Sequence, residues 1–348
     1  MENHSETPRA FNDKPAESPE PHELTELVDV TCPPSQPTAP PRRRPRSRLR
    51  RRDCWAIGLF IATCISTFFS GMLAGVGAPR ADWLQEQPVE VLKALTLNGL
   101  SYAGPLMLIL LAHEMGHYLQ ARRYRVPATL PFFIPMPITP FGTMGAVIVQ
   151  QAGVADRKAL FDIAITGPLA GLLVALPVTY FALQDVQIVQ LDPNAAGVEI
   201  RYGDPLVLQW MVKLIHRPLA ENEDIILTPM LFAGWVGIFI TALNLMPVGQ
   251  LDGGHILYTL IGRKAHYVAY ALIGLAVGHM FHSKDYAYSL IIALLLVVGP
   301  RHPPTADDHV PLGTWRVLLG WLTLAFIIIG FTPRPITITV HEPPPAPA

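Results

Sequence analysis

Residues 99–121 read GLSYAGPLMLILLAHEMGHYLQA and decide the architecture of the chain. The segment is apolar over the length of a membrane-crossing helix, yet its second half carries His113, Glu114 and His117. Histidines four residues apart lie on one face of a helix, so the two imidazoles can hold one metal ion between them. Ionisable side chains are costly in the hydrocarbon region, and three of them together therefore indicate a functional site inside the membrane.

A third metal ligand is needed, because a catalytic zinc ion usually takes three protein ligands and leaves one position open. We predict that Asp252 is this ligand, because it follows a later apolar segment at a depth in the membrane similar to that of the histidines. The Gly253-Gly254 pair after it also has the backbone freedom to approach a metal closely. Two alternatives remain open: Asp252 is a helix N-cap, or His255 is the third ligand. Next to a bound zinc ion, Glu114 would serve as the general base of a hydrolytic reaction.

Asn244, which lies shortly before Asp252 in the chain, is a candidate hydrogen-bond donor. Hydrolysis of a peptide needs donors for the oxyanion that develops on the carbonyl, and a side-chain amide can supply one. The alternative is structural: the amide satisfies an open backbone carbonyl beside Pro247. The sequence favours neither role.

The composition predicts a multi-pass membrane protein. Half of the 348 residues are hydrophobic and only 15% are charged, which is unusual for a soluble domain. We predict an all-α polytopic membrane protein of about seven transmembrane helices. The predicted spans are Trp55–Ala78, 99–121, Leu160–Leu183, Ile225–Val248, Ala265–Phe281, Tyr286–Val298 and Trp315–Phe331.

Basic residues set the expected orientation. Arg122, Arg123 and Arg125 close the second span, which places its end in the cytoplasm by the positive-inside rule. The N-terminus is then also cytoplasmic, and we expect a bacterial inner membrane. Eight arginines crowd residues 42–52 next to the first span. The same rule explains them more simply than nucleic-acid binding, and a scaffold that binds anionic lipids is a weaker alternative.

The segment after the motif helix, Pro127–Gln151, cannot be a regular helix. Five prolines lie between Pro127 and Pro140, and each removes a backbone donor. Glycines then lead into the β-branched run around Val147. We predict a membrane-dipping loop followed by an extended element or β-hairpin, because irregular backbone at membrane depth needs protein or water to satisfy it. An ordinary hydrophobic surface loop is the alternative.

Together these motifs resemble the site-2 protease family of intramembrane zinc metalloproteases. The resemblance rests on HEMGH in one span and on NLMP (244–247) and LDGGH (251–255) after a later one. The stretch FGTMGAVIVQQAGVADRKALFDIAITGPLAG (141–171) resembles the subgroup with the chloroplast ethylene-dependent gravitropism-deficient and yellow-green proteins and their bacterial relatives. The resemblance covers about residues 99–304.

The resemblance implies a function and a set of site residues. It implies that His113, His117 and Asp252 bind Zn²⁺, that Glu114 is the base, and that an Asn belongs at position 244. It also implies that an extended element pairs with substrate. The predicted substrate-binding residues are Gly142, Gly145, Ala146, Val147 and Ile148.

Three regions follow from this interpretation. Residues 1–53 are expected to be a disordered cytoplasmic tail rich in Pro and Arg, residues 54–304 the intramembrane metalloprotease core, and residues 305–348 a last transmembrane helix with a Pro-rich tail. The expected partners are a membrane-anchored protein substrate and the lipid bilayer, and not nucleic acid. A membrane metal carrier or chaperone without proteolytic activity is the alternative, since it would need the histidines but not Glu114 as a base.

Overall fold

The computed structural model describes residues 51–73, 87–190, 197–220, 222–284, 286 and 288–341. The disordered tail expected at residues 1–53 lies almost entirely outside the described residues, as does the end of the Pro-rich C-terminal tail. The described residues are mostly helical. Their helices are α1 (Arg51–Leu73), α2 (Pro88–Arg123), α3 (Arg157–Gln184), α4 (Leu206–Ile215), α5 (Pro229–Asn244), α6 (Asp252–Ile261), α7 (Ala265–Ser283), α8 (Ser289–Val298) and α9 (Thr314–Gly330).

Short strands connect the helices and form two-stranded antiparallel sheets. They are β1 (Phe132–Met136), β2 (Gly142–Val147), β3 (Ile188–Gln190), β4 (Gly197–Tyr202), β5 (Glu223–Ile225) and β6 (Ile336–His341). β1 pairs with β2, β3 with β5, and β4 with β6. The last pairing joins the C-terminal strand to the connection between α3 and α5.

Membrane-crossing length is found, within the described ranges, in α1, α2 and α3. The helices α4, α5 and α9 are apolar but shorter. The helices carry exposed apolar side chains such as Leu173 of α3 and Ile328 of α9, as expected where lipid replaces water. The seven spans expected from the sequence remain a prediction.

The helix that carries the histidines starts earlier than the sequence suggested. The predicted span begins at residue 99, but α2 already begins at Pro88 and runs for 36 residues. Proline is favoured in the first helical turn because a backbone N–H at that position would have no partner within the helix. Glu90 places a negative charge at the positive end of the helix. At about 1.5 Å per residue α2 is about 54 Å long, well beyond the roughly 30 Å hydrocarbon core.

Helices α2 and α3 pack closely enough for backbone contact. A Cβ atom on Gly116 would lie 2.5 Å from the carbonyl oxygen of Thr166, and the Thr166 hydroxyl donates to the Gly116 carbonyl at 3.1 Å. Small residues permit this approach in membrane helices. The α3 helix itself starts at a side-chain cap, where Asp156 Oδ1 accepts the Ala159 N–H at 2.7 Å.

The Pro-rich segment forms the hairpin β1–β2, which is fixed to the first two helices. The Ser66 hydroxyl of α1 donates to the Gly142 carbonyl at 2.6 Å, and the Tyr102 hydroxyl of α2 donates to the Phe141 carbonyl at 2.8 Å. Gly142 has φ +73°, and a Cβ there would lie 2.7 Å from Thr67 Cα. Only glycine fits this position, because it needs both the left-handed backbone and the space.

Candidate metal centre

The three predicted ligands meet although Asp252 is 139 residues from His113. Asp252 Oδ2 lies 3.1 Å from His113 Nε2, and Asp252 Oδ1 lies 3.2 Å from His117 Nε2. One ligand atom from each residue lies within 4.8 Å of the other two. The histidines are 3% and 4% exposed, respectively. The structure therefore brings two imidazoles and one carboxylate to a single buried point.

This donor set fits zinc. Zinc bonds to histidine nitrogen and carboxylate oxygen are about 2.0–2.2 Å, so neighbouring ligand atoms of a tetrahedral site lie about 3.3–3.5 Å apart. Each histidine Nε2 lies near that distance from one Asp252 oxygen, His113 at 3.1 Å from Oδ2 and His117 at 3.2 Å from Oδ1, and one ligand atom from each of the three residues lies within 4.8 Å of the others. Two histidines and one carboxylate are also a ligand set of catalytic zinc sites, which keep a fourth position free.

A backbone carbonyl orients His117. Its Nδ1 donates to the Ile163 carbonyl of α3 at 2.8 Å. A proton on Nδ1 leaves the lone pair on Nε2, the atom that faces Asp252. Such a second hydrogen bond is usual for metal-binding histidines, because it sets both the tautomer and the ring orientation.

Two glycines of α3 make room for the histidine rings. A Cβ atom on Gly167 would lie 2.0 Å from His117 Nε2, and one on Gly171 would lie 3.0 Å from His113 Nδ1. Small residues four apart are typical of close contacts between membrane helices. The structure assigns that space to the two imidazoles, so these glycines belong to the metal centre as well as to the helix interface.

Asp252 is positioned by the start of α6. The helix begins at Asp252 with Leu251 as its N-cap, so the alternative role of Asp252 as N-cap does not hold. The reason given above for the following glycines is also wrong: Gly253 and Gly254 are not among the positive-φ residues. They supply space instead, because a Cβ on Gly253 would lie 1.8 Å from the Leu245 carbonyl oxygen.

A cavity of about 110 Å³, here called the catalytic cavity, opens at these ligands. Glu114, which is 4% exposed, lines it. Asn244 also lines it and places its side-chain nitrogen 3.5 Å from His113 Nε2. The hairpin contributes Ala146, Val147 and the following Ile148.

Two of the predicted substrate-binding residues lie elsewhere. Gly142 packs against α1, as described above, and Gly145 lies beside the Ile240 side chain of α5. Neither lines the catalytic cavity. Both have positive φ, so they shape the hairpin instead of contacting the cavity.

His255, the rival ligand, lines the catalytic cavity but is engaged differently. Its Nδ1 lies 2.5 Å from Nε2 of His302, 47 residues further along the chain. His302 belongs to the loop after α8, and burial lowers its pKa to about 4. The ring of His302 stacks on that of Tyr258 at a centroid distance of 4.3 Å.

Comparison with known proteins supports a common ancestry of this core. The profile of peptidase family M50 matches residues 101–282. The chain is 31% identical over 237 residues to the probable zinc metalloprotease EGY1, chloroplastic, of Arabidopsis thaliana, which covers 65% of this chain and 41% of the relative. It is 30% identical over 301 residues to the probable zinc metalloprotease EGY2, chloroplastic, of the same plant, covering 83% of this chain and 50% of the relative.

A relative from rice matches with similar identity and coverage. The probable zinc metalloprotease EGY1, chloroplastic, of Oryza sativa subsp. japonica is 29% identical over 259 residues, which is 70% of this chain and 42% of the relative. The chain therefore spans half or less of the length of these curated relatives. The matched family region contains both histidines, Glu114 and Asp252.

Proposed function

We propose that this chain, which belongs to peptidase family M50, is an intramembrane zinc metalloendopeptidase that cleaves membrane-anchored helical substrates. The observation that carries the proposal is the meeting of His113, His117 and Asp252 at one buried point, with Glu114 in the same cavity. When bound there, zinc supplies a Lewis acid that polarises a peptide carbonyl and lowers the pKa of water.

The chain's own residues account for the proton transfers. Glu114 faces the same cavity as the three ligands, so its carboxylate can accept a proton from the attacking water. The same carboxyl group then returns the proton to the departing amine nitrogen. In this proposal the side-chain N–H of Asn244, whose nitrogen lies 3.5 Å from His113 Nε2, donates to the developing oxyanion.

The hairpin can hold a substrate segment in an extended conformation. A helical substrate hides its peptide bonds in internal hydrogen bonds and must be unwound locally before attack. Among the described strands, β2 pairs with β1 alone, and Ala146 and Val147 line the catalytic cavity. We infer that a substrate strand pairs with this edge by β-augmentation.

The membrane placement is also part of the proposal. We infer that the shorter apolar helices complete about seven spans beside α1, α2 and α3. The basic residues at the end of α2, Arg122 and Arg123, would face the cytoplasm of a bacterial cell, with the N-terminus on the same side. The catalytic cavity would then lie below the cytoplasmic surface.

The decisive experiment exchanges Glu114 for Gln in the purified full chain. Glu114→Gln keeps the shape of the side chain but removes the base, so cleavage of a single-span model substrate should disappear while zinc content stays at the wild-type level. Glu90→Gln, on the exposed first turn of α2, is the matched control and should cleave normally. Undiminished cleavage by Glu114→Gln would refute the proposed mechanism, and metal transport in its place would favour the carrier.

A second experiment tests the strand edge. Proline at Ala146 or Ile148 removes a backbone donor and should reduce cleavage while zinc content is unchanged. Unchanged turnover in both variants would eliminate β-augmentation but leave the metal centre intact.

A further inference from the structure

A second cavity of about 410 Å³, here called the side cavity, lies next to the catalytic cavity. Its lining includes the end of β2 with the chain that follows it, residues 147–153, and residues 302–305 of the loop after α8, here called the loop wall. Val147, Ile148, Gln150 and His255 line both cavities. The two cavities therefore adjoin each other at the strand edge that we propose as the substrate contact.

The loop wall is held in place by several hydrogen bonds. The Ala306 N–H donates to the Ala155 carbonyl at 2.9 Å. Asp308 accepts from the Tyr258 hydroxyl at 3.0 Å and from the Thr305 hydroxyl at 2.6 Å. The loop is thus tied to α6 and to Ala155, two residues before α3, and these contacts hold it beside the metal centre.

The imidazoles of His255 and His302 form a hydrogen-bonded pair at the boundary of the two cavities. His255 lines both cavities, whereas His302 lines the side cavity alone. Their hydrogen bond of 2.5 Å and the stacking of His302 on Tyr258 leave His302 only 7% exposed. The pair is therefore a buried part of the boundary between the two cavities.

The lining indicates what the side cavity can hold. Apolar residues such as Leu160, Leu295 and Pro303 form much of it. Its polar groups are the amides of Gln150, Gln151 and Gln250, the imidazoles of His255 and His302, and the hydroxyl of Thr305. A mostly apolar pocket with a few polar groups suits a large apolar side chain. Its volume falls within the roughly 300–1,000 Å³ range of ligand sites, while the catalytic cavity is smaller and suits the reacting groups alone.

We propose that the side cavity is a substrate subsite that takes a large apolar side chain from the substrate segment lying along residues 147–151. Side chains of an extended peptide alternate between two faces, so the subsite reads one fixed position near the scissile bond. The proposal rests on the proposed protease function. It gives the loop after α8 a role in specificity.

The test uses the full chain in lipid vesicles and a single-span substrate whose scissile bond has been located by mass spectrometry. Each flanking position is changed in turn to Phe, Ala or Asp. The wild type should show one position at which Phe raises kcat/KM over Asp by about 10- to 100-fold. Ala152→Trp, at an exposed residue that lines only the side cavity, should fill the subsite and abolish this preference. Ala306→Trp, at an exposed residue of the loop after α8 that is outside the lining, is the control and should keep the preference.

The outcomes separate the subsite from the protease itself. If cleavage depends on Glu114 but Ala152→Trp keeps the wild-type preference, the subsite is refuted and the protease function stands. If the wild type cleaves none of the substrates, the protease function fails and the subsite falls with it. A photoreactive residue at position 152 of the Glu114→Gln variant gives a readout without turnover. It should cross-link to the substrate, and the lack of an adduct would also overturn the subsite.

Discussion

Gly167→Ala should remove zinc from the metal centre while leaving most of the fold in place. The added Cβ would lie 2.0 Å from His117 Nε2, whereas ordinary van der Waals contact begins at 3.4 Å. The His117 ring must therefore move by more than 1 Å, which is several times the roughly 0.2 Å tolerance of a metal–ligand distance. Even a lost outer-shell contact weakens metal binding by about 10- to 100-fold, so the loss of a ligand should reduce affinity by at least that factor.

Three glycine variants make this a graded test. Gly171→Ala places its Cβ 3.0 Å from His113 Nδ1, and Gly104→Ala, elsewhere on α2, meets nothing within 4 Å. Zinc affinity, measured by competition with a chelator, should therefore fall in the order Gly104→Ala, Gly171→Ala, Gly167→Ala, with the first close to wild type. Circular dichroism should show equal helix content in all three. Wild-type zinc affinity in Gly167→Ala would refute the reasoning.

Three further perturbations have defined outcomes. Gly253→Ala would place a Cβ atom 1.8 Å from the Leu245 carbonyl oxygen. Because this oxygen belongs to the backbone, the start of α6 with Asp252 must shift, and elemental analysis should find the variant depleted of zinc. Arg316→Leu removes the bidentate partner of Asp162. Since the Arg316 side chain is 33% exposed, the free energy of unfolding should fall by about 1–2 kcal/mol. This loss should be measured as a lower Tm with zinc retained. Burial lowers the pKa of His302 to about 4 from about 6.5 in an unfolded chain. The unfolded state therefore binds the proton first, and Tm should fall as pH drops from about 6.5 towards 4, and fall less in His302→Asn.

Much of the metal centre could be predicted from the sequence because its determinants are local. The four-residue spacing of His113 and His117 gives their common face as soon as the segment is recognised as a helix. Asp252 could be proposed as their partner because it follows a later apolar segment at a similar depth. The comparisons identify the same family as the motifs did.

The features that the sequence did not predict depend on backbone atoms or on contacts between residues far apart in the chain. The Ile163 carbonyl orients His117, but every residue has a carbonyl, so no sequence signal singles it out. Gly253 could be read for backbone freedom, whereas its use is the space beside Leu245. The pairing of His255 with His302 across 47 residues and the strand pair β4–β6 likewise have no local signature.

Under the proposed function, the hydrogen bonds that tie the hairpin to α1 and α2 should make the cleavage rate depend on the thickness of the bilayer. A helix whose apolar length does not match the bilayer tilts to compensate. Tilting of α1 would pull the Ser66 contact with Gly142 and shift β2, whose last residues line the catalytic cavity. We expect the rate of cleavage to pass through a maximum as acyl chains are lengthened, and to do so without any change in zinc occupancy.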